Sequence, residues 1–286
     1  MGSLHKINLL FPAFTLAVLI LSSLKLQGQS KKPLSAPNPI SIGEKRTLYS
    51  KNLNEERTVN IYLPPEYYED TTSQFPVIYL LDGGLDEDFI HVMGLVQFES
   101  FPWVHQLPPT IVVGIENIDR IKDMTSETKD PDLIKEFPTS GGSYSFFRFL
   151  ATELKPSIET EYRTKAPSCL IGQSMAGLLA TEVLVRWPMV FDQYIIVSPS
   201  LWWDNEHLLK RTPHIPTERP QVFIAVGKEG YGMQELVARF HERITEKWGS
   251  DEGILFQFYP ERTHGDILHE ALMDAFQWLY PDLKKD

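Results

Sequence analysis

Six short apolar runs, separated by helical patterns, restrict this chain to one class of fold. Each run is predominantly apolar, as expected of a parallel strand that is covered on both faces. The runs occupy residues 77–81, 111–115, 168–171, 194–197, 222–226 and 255–259. In the segments between them, apolar residues recur at helical spacing, as at Leu236, Phe240 and Ile244,. Repeated strand–helix–strand units predict an α/β protein, with a mostly parallel sheet and helices on both faces.

The sheet is expected to start with an antiparallel pair of strands. Val59, Ile61 and Leu63 alternate with polar residues, which indicates a half-buried strand,. A strand near residues 46–50 can pair with it through a turn at 52–55. These two strands bring the predicted sheet to eight. Because no break in composition divides residues 39–286, we interpret this segment as a single domain.

The chain starts with a segment that is typical of an export signal. His5 and Lys6 precede an apolar run over residues 7–21, which is shorter than the roughly 20 apolar residues of a membrane-spanning helix. A basic start, a short apolar run and polar residues after it are typical of a secretory signal peptide. We therefore predict a signal peptide over residues 1–29, a linker over 30–38, and a periplasmic or secreted protein with no stable membrane partner. An uncleaved N-terminal anchor is the alternative.

The composition argues against several classes of partner and site. The chain has 38 acidic and 27 basic residues, a net charge of −11, without a basic cluster, which argues against nucleic acid and anionic membranes. The single cysteine, Cys169, excludes an intrachain disulfide and a multi-cysteine zinc site,. A metal-ligand spacing such as His-Glu-x-x-His is also missing from the sequence. We therefore predict no metal; the oligomeric state stays open.

A Gly-x-Ser-x-Ala motif gives the chain its candidate chemistry. Gly172, Ser174 and Ala176 follow the run at 168–171 and open a helical pattern that ends before Pro188. A serine between small residues at such a junction is the nucleophile-elbow pattern of α/β hydrolases. Small residues let the strand and the helix approach closely, and the sharp turn exposes the hydroxyl. We interpret Ser174 as a nucleophile; the alternative is a turn that only connects two elements.

A serine nucleophile needs a base and an acid, which in this architecture follow it in the order Ser, acid, His. His264 lies in the loop between the last strand and the last helix, where the base is expected, whereas His269 lies on that helix. Glu229 follows the penultimate strand and is the predicted acid, which would orient and stabilise the imidazole. The alternatives are Asp204, Asp266, or a Ser/His pair without an acid.

An oxyanion hole needs two backbone N–H donors. Met175 follows the predicted nucleophile and is expected to supply one. The second is expected from the loop after the run at 77–81, at Gly84 or Leu85, where two adjacent glycines let the backbone approach a substrate. An ordinary Asp-Gly turn is the alternative interpretation of that loop.

Two long loops are expected to form the walls of the site, because they follow strands at the edge where such sheets bind ligands. The first, 116–142, contains Arg120, and the second, 198–219, contains Trp202 and Trp203. Flat aromatic rings and a guanidinium would suit an aromatic or catecholate acyl group. The alternative is that the tryptophan pair is simply buried beneath the loop.

Six segments support a resemblance that covers roughly residues 40–280. They lie at 55–64, 79–83, 113–120, 141–146, the elbow, and 198–203. In this order they resemble the putative-esterase (esterase D-like) family of α/β hydrolases, in particular the branch that includes siderophore (enterochelin-type) esterases. The resemblance implies an α/β-hydrolase fold and a serine carboxylic-ester hydrolase that needs no cofactor. It puts Ser174 and His264 on the family's nucleophile and base, and Glu229 on its acid.

The resemblance leaves the substrate open, because the family includes feruloyl and acetyl-xylan esterases, S-formylglutathione hydrolases and mycolyltransferases. We expect a small-molecule or glycan-linked ester of the siderophore, aromatic or acetyl type. An acyltransferase and a non-catalytic binding protein on the same scaffold are the rival hypotheses.

Overall fold

The computed structural model describes residues 36–230 and 232–283. The predicted signal peptide, residues 1–29, lies outside the described residues, and so does the predicted linker as far as residue 35. From Ser41 onward, the described residues form one compact unit.

One sheet of eight strands organises this unit. The strands are β1 (Glu44–Ser50), β2 (Glu55–Tyr62), β3 (Phe75–Leu80), β4 (Ile111–Ile115), β5 (Thr164–Gln173), β6 (Gln193–Val197), β7 (Gln221–Gly227) and β8 (Ile254–Tyr259). Their order across the sheet is β1-β2-β4-β3-β5-β6-β7-β8. The pairs β1–β2 and β2–β4 are antiparallel, and the other pairs are parallel. The predicted eight-stranded, mostly parallel sheet with an antiparallel start is therefore confirmed.

Alternation along the buried strands builds two hydrophobic cores, one on each face of the sheet. In β3, Val77 and Tyr79 enter one cluster of buried side chains, whereas Ile78 and Leu80 enter the other. All four side chains are at most 3% exposed. Burial on both faces explains why these strands are continuous apolar runs in the sequence.

Helices cover both faces of the sheet. They are α1 (Glu66–Glu69), α2 (Phe89–Glu99), α3 (Arg120–Met124), α4 (Pro131–Glu136), α5 (Ser143–Phe149), α6 (Lys155–Glu161), α7 (Met175–Arg186), α8 (Trp203–Lys210), α9 (Met233–Trp248) and α10 (Ile267–Leu279). A π-helical segment, Leu150–Leu154, joins α5 to α6. Apolar residues of α7 and α9 enter the first core, and those of α2 and α10 enter the second. Among the described residues, no helix is both long enough and apolar enough to cross a bilayer.

The carboxyl ends of the parallel strands gather the segments that the sequence analysis singled out. The elbow follows β5, the segment with Glu229 follows β7, and the segment with His264 follows β8. The long loop after β4 contains α3 and α4, and the long loop after β6 contains α8. Because sheets of this kind bind ligands outside their carboxyl ends, the candidate site lies at this edge.

Candidate active site

Ser174 occupies a sharp turn between β5 and α7. Its backbone has φ 62° and ψ −120°, a conformation that costs a non-glycine residue about 1–3 kcal/mol. Its N–H donates to the carbonyl of Val197 at 3.0 Å, and its carbonyl accepts from the N–H groups of Leu178 at 2.8 Å and Ser200 at 3.1 Å. A strained turn that is tied to the neighbouring strand is the geometry expected of a nucleophile elbow.

The small residues of the motif are required by close packing of the backbone. A Cβ atom on Gly172 would lie 2.4 Å from the carbonyl oxygen of Ala176, and one on Gly177 would lie 3.0 Å from Cα of Pro199. Ala176 is itself fully buried. A larger side chain at Gly172 would therefore push the helix away from the strand and displace Ser174.

The structure brings the predicted acid and base together. Glu229 and His264 follow β7 and β8, which are neighbouring parallel strands. Nδ1 of His264 lies 2.6 Å from Oε2 of Glu229. The Glu229 side chain is 3% exposed, whereas the imidazole is 47% exposed. The predicted contact is therefore present, and it joins a buried carboxylate to an accessible ring.

Hydrogen bonds hold the Glu229 carboxylate in its ionised form. In addition to the contact with His264, it accepts hydrogen bonds from the Ser198 hydroxyl and from the N–H of Gly227, the latter at 3.0 Å. Burial favours the neutral acid, but these three interactions outweigh it and lower the pKa of Glu229 below its ordinary value,. An ionised carboxylate at Nδ1 keeps the proton on that nitrogen and leaves Nε2 able to accept one.

The two alternative acids have other partners. Asp204 accepts a hydrogen bond from the Thr128 hydroxyl at 2.6 Å. Asp266 accepts hydrogen bonds from the N–H of Thr263 at 2.6 Å and from its hydroxyl at 2.8 Å. Both carboxylates thus stabilise loop backbone or connect loops. The geometry leaves Glu229 as the carboxylate in contact with the His264 ring.

The alternative base, His269, lies on α10 and pairs with a histidine of α2. Its Nδ1 is 3.0 Å from Nε2 of His91, and the two rings are stacked with their centroids 5.3 Å apart. Burial, followed by the nearby His269, lowers the pKa of His91,. His269 therefore takes part in a contact between two helices.

Gln173 connects the elbow to the loop that carries His264, and the sequence analysis did not single it out. Its Nε2 donates to the backbone carbonyl of His264 at 2.5 Å. Its own backbone carbonyl accepts a hydrogen bond from the Arg120 guanidinium at 3.4 Å. The residue before Ser174 thus contacts both the histidine loop and α3. The variable position of a Gly-x-Ser motif carries no signal of its own, so only the tertiary structure reveals this role.

The loop after β3 packs closely but does not offer the N–H donor predicted at Gly84. A Cβ atom on Gly83 would lie 2.3 Å from Cα of Gly114, so this glycine is needed for packing against β4. The N–H of Gly84 donates to the carboxylate of Glu87 at 2.6 Å. The prediction of a free donor at Gly84 is therefore wrong in this structure, because the loop closes on its own acidic side chain.

The other two predicted donors lie in different elements, Met175 at the start of α7 and Leu85 in the loop after β3. Met175 is the first residue of α7, so its N–H has no acceptor one turn earlier within the helix. It also directly follows Ser174, the position that supplies one of the two oxyanion donors in α/β hydrolases. Leu85 follows Gly84 in the β3 loop, and its side chain is half-exposed.

Arg120 lies beside the elbow, but its guanidinium is already paired. Its Nε and Nη2 atoms donate to the two carboxylate oxygens of Asp82, each at 2.7 Å. Asn117 donates to the same carboxylate and to Glu87, each at 2.6 Å. Burial lowers the pKa of Arg120, but the hydrogen bond and charge of Asp82 outweigh it and raise the pKa. The guanidinium that we expected to contact an acyl group is therefore bound to Asp82 in this structure.

The carboxylates around the site act as hydrogen-bond acceptors. Asp82 binds Arg120, Glu87 binds the N–H of Gly84, and Glu229 contacts the His264 ring. Within residues 36–230 and 232–283, no three His, Cys, Asp or Glu side chains are grouped so that they could hold a metal ion.

Comparison with known proteins assigns the chain to a family. The family described as "Putative esterase" matches residues 50–247, which include the elbow and Glu229. The chain belongs to this family. It is accordingly a carboxylic ester hydrolase, and its sheet and helices have the α/β-hydrolase arrangement.

Similar proteins include esterases that are named for siderophores. Ferri-bacillibactin esterase BesA of Bacillus subtilis is 32% identical over 259 residues, which cover 80% of this chain and 87% of that protein. Siderophore triacetylfusarinine C esterase of Aspergillus fumigatus is 26% identical over 185 residues, 59% of this chain and 60% of that protein. The solved structure of an IroE-like serine hydrolase from Shewanella oneidensis is 31% identical, with a TM-score of 0.74 over 84% of this chain and 80% of that one. The resemblance found in the sequence is therefore confirmed.

The two tryptophans of this esterase have different surroundings. Trp203 is 2% exposed, its Nε1 donates to the carbonyl of Ser126 at 3.2 Å, and its ring meets that of Phe137 edge-on. The prediction that Trp203 lines the substrate wall is wrong, because its ring is buried between the loops after β4 and β6. Trp202 is only partly buried and remains a candidate wall residue.

Proposed function

We propose that this esterase cleaves its substrate through an acyl-enzyme, with Ser174 as nucleophile, His264 as base and Glu229 as acid. The observation that carries the proposal is the 2.6 Å contact between Nδ1 of His264 and Oε2 of Glu229. The hydrogen bond from Gln173 joins this histidine loop to the elbow, and the strained backbone of Ser174 supports its role. The contact between His264 and Glu229 is the one that a base and its orienting acid require, and the strained turn is the conformation typical of a nucleophile elbow.

Acylation uses Nε2 of His264 as the proton acceptor. The Oγ atom of Ser174 forms a bond to the ester carbonyl carbon while its proton passes to Nε2. Glu229 stabilises the resulting imidazolium, and the proton on Nδ1 stays in place. The bond to the alcohol oxygen then breaks, the imidazolium returns the proton from Nε2 to that oxygen, and the acyl group remains on Ser174.

Deacylation repeats these steps with water as the nucleophile. His264 takes a proton from the water as its oxygen bonds to the acyl carbon. The bond to Oγ of Ser174 then breaks, and the imidazolium returns the proton to that oxygen. The products are a carboxylic acid and an alcohol, and the enzyme regains its starting protonation state.

Backbone N–H groups stabilise the negative oxygen that forms in both steps. Met175 supplies one donor, and the positive end of the α7 dipole lies at the same place. Leu85 is the proposed second donor, because the N–H of Gly84 is bound by Glu87. Loss of one such donor typically costs about 10²–10³ in kcat.

A small-molecule or glycan-linked ester of the siderophore, aromatic or acetyl type is the proposed substrate. The relatives named for siderophore esters support the first of these classes. Trp202 would supply an aromatic surface at the wall of the site, where flat groups stack favourably.

Export is part of the proposal, and residues 1–29 would be removed as a signal peptide. The basic start and the short apolar run of this segment support it,. N-terminal sequencing of the protein from fractionated cells tests it, with a mature start near residues 29–31 expected. An intact N-terminus in the cytoplasmic fraction would contradict the export proposal.

Hydrolysis of p-nitrophenyl acetate and butyrate by wild type and Ser174→Ala tests the catalytic proposal. We expect Ser174→Ala to lose at least about 10³ in kcat, with an unchanged circular dichroism spectrum as evidence of folding. Retention of more than about a tenth of the wild-type kcat would remove Ser174 from the mechanism. Addition of alcohols tests the rival transferase function, which would divert the acyl group from water to the alcohol. A pure binding protein would show saturable ester binding without turnover.

A further inference from the structure

The loops at the carboxyl edge of the sheet carry most of the excess negative charge of this esterase. These loops are residues 82–88, 116–142, 198–220, 227–230 and 260–266. Together they contain 17 Asp and Glu residues and nine Lys and Arg residues. By sequence the loops have a net charge of −8, against −11 for the whole chain. Three cations from outside the loops pair with three of these carboxylates, Glu116, Asp123 and Glu206, so a net negative charge of about five remains at this edge. Ser174, the proposed nucleophile, lies at the same edge, between the end of β5 and the start of α7.

The guanidinium next to the elbow does not reverse this charge. Arg120 binds Asp82 through two hydrogen bonds, and it is also close enough to Glu87 and Asp88 to interact with their charges. Three carboxylates therefore surround one guanidinium that touches the backbone of Gln173. A fork that already binds one carboxylate in bidentate fashion cannot offer the same two donors to an anionic substrate.

Burial and, after it, neighbouring carboxylates disfavour a negative charge at Asp88, which lies close to Arg120. Burial raises the pKa of Asp88, the nearby Asp82 and Glu87 raise it further, and Arg120 and His91 lower it by less. The balance leaves the pKa of this carboxyl above its ordinary value. A negatively charged substrate group near the loop 82–88 would be repelled by the same carboxylates.

Two cations lie on the other side of the site, in the loops around His264, and carboxylates pair with one of them, Arg262. Arg262 pairs with Glu270, and Asp266 lies 3.8 Å from the same guanidinium. Lys228 is exposed and directly precedes Glu229. The histidine side of the site therefore adds no net positive charge.

We infer that the active site selects neutral or cationic esters over anionic ones. This inference rests on the proposed function, because it concerns the ester that is presented to Ser174. The inference also predicts different reactivity for two kinds of iron chelate. A ferric tris-catecholate complex is triply negative, whereas a ferric tris-hydroxamate complex is neutral. The charge of the site favours esters of the neutral kind.

The expected discrimination follows from Coulomb's law. Two uncompensated negative charges at roughly 8 Å from a substrate anion, in water at low salt, slow its reaction by about fivefold relative to a neutral ester. At 0.5 M salt the screening length is roughly 4 Å, so the same difference should fall below about twofold.

Three acetate esters with one aromatic framework test the inference. They are 4-acetoxybenzoate, which is anionic, its neutral methyl ester, and the cationic 4-acetoxybenzyl-trimethylammonium. Each kcat/KM is divided by the rate constant for imidazole-catalysed hydrolysis of the same ester. Neutral imidazole removes differences in intrinsic reactivity without adding a charge effect of its own. We expect the normalised values to rise from anionic to neutral to cationic at low salt, and to converge at high salt.

A charge-neutralised variant distinguishes the effect of local charge on ester selectivity from the effect of the shape of the site. Asp86→Asn with Asp88→Asn should raise the normalised value for the anionic ester by about twofold to fivefold and leave the neutral ester unchanged. Asparagine is also a good residue at the start of a helix, so Asp88→Asn should not disturb α2. The matched control is Glu246→Gln with Asp251→Asn, which removes the same charge near the opposite edge of the sheet and should change none of the three values.

The outcomes distinguish the inference from the function on which it rests. Equal normalised values for the three esters, or a preference for the anionic one, would overturn the charge inference while hydrolysis that depends on Ser174 still stands. A salt-independent difference would assign the selection to shape and would also overturn it. Hydrolysis that survives Ser174→Ala, or no hydrolysis of any of the three esters, would contradict the proposed function and remove the inference with it.

Discussion

Replacement of Glu229 by glutamine tests the proposed acid with almost no change in shape. The carboxylate is buried and accepts hydrogen bonds from Ser198 and Gly227 in addition to its contact with His264. Glutamine keeps one oxygen, which can still accept from Ser198 and Gly227. The other oxygen becomes an amide NH₂, and this group would face Nδ1 of His264.

The size of the effect follows from the imidazole tautomer. An amide NH₂ at 2.6 Å makes Nδ1 an acceptor, which places the ring proton on Nε2 and removes the base that Ser174 needs. The imidazolium formed during catalysis also loses the negative charge that stabilises it. We therefore expect Glu229→Gln to lower kcat by about 10²–10⁴, with little change in KM because the substrate does not touch Glu229.

Steady-state hydrolysis of p-nitrophenyl butyrate measures both constants. Asp266→Asn is the matched control, because it removes a carboxylate from the same loop as His264, and it should retain most of the wild-type kcat. A near-wild-type kcat for Glu229→Gln, together with a large loss for Asp204→Asn, would show that the acid lies on the loop after β6. If neither variant loses activity, the catalytic unit is a Ser/His pair and the reasoning about the tautomer is refuted.

Three further results are expected. Gln173→Ala should lower kcat for p-nitrophenyl butyrate by about tenfold with little change in KM, because it frees the histidine loop from the elbow; an unchanged kcat would contradict that positioning role. Gly172→Ala should destabilise the fold by about 3 kcal/mol or more in urea unfolding, because its Cβ would lie 2.4 Å from a carbonyl oxygen,. In the same assay Gly94→Ala, whose Cβ would meet no atom within 4 Å, should stabilise by about 0.5–1 kcal/mol; equal effects would refute the packing argument. The folded-state pKa of Glu229 lies below its ordinary value of 4.5, so the stability that its carboxylate contributes is present above pH 4.5 and is lost as the pH falls. The melting temperature of wild type should therefore drop more steeply below pH 5 than that of Glu229→Gln.

The strands were predictable because burial on both faces leaves a signal in the residues themselves. The run at 168–171 identified β5, although the strand extends to Thr164–Gln173. Its first residues are partly or fully exposed, so they do not add to the apolar run. The place of Glu229 at the end of β7 was predictable for a related reason, because the run at 222–226 marks that strand and Glu229 follows it.

Contacts between side chains of distant loops were not predictable in the same way. Arg120 and Asp82 are 38 positions apart, and nothing in either local sequence indicates that they pair. The bond between Glu87 and the N–H of Gly84 changes which donor the β3 loop can offer, but it depends on how that loop closes. Trp203 is adjacent to Trp202 and has the same chemistry, yet only the packing of two loops decides which ring is buried.

Labelling with a fluorophosphonate, followed by peptide mapping, tests the central claim most directly, because such a reagent phosphonylates a serine that a neighbouring base has activated. The account predicts a single adduct on Ser174 in wild type, slow labelling in His264→Ala, and no adduct in Ser174→Ala. An adduct on another serine, or ester hydrolysis that continues at the wild-type rate in protein that the reagent does not modify, would contradict it.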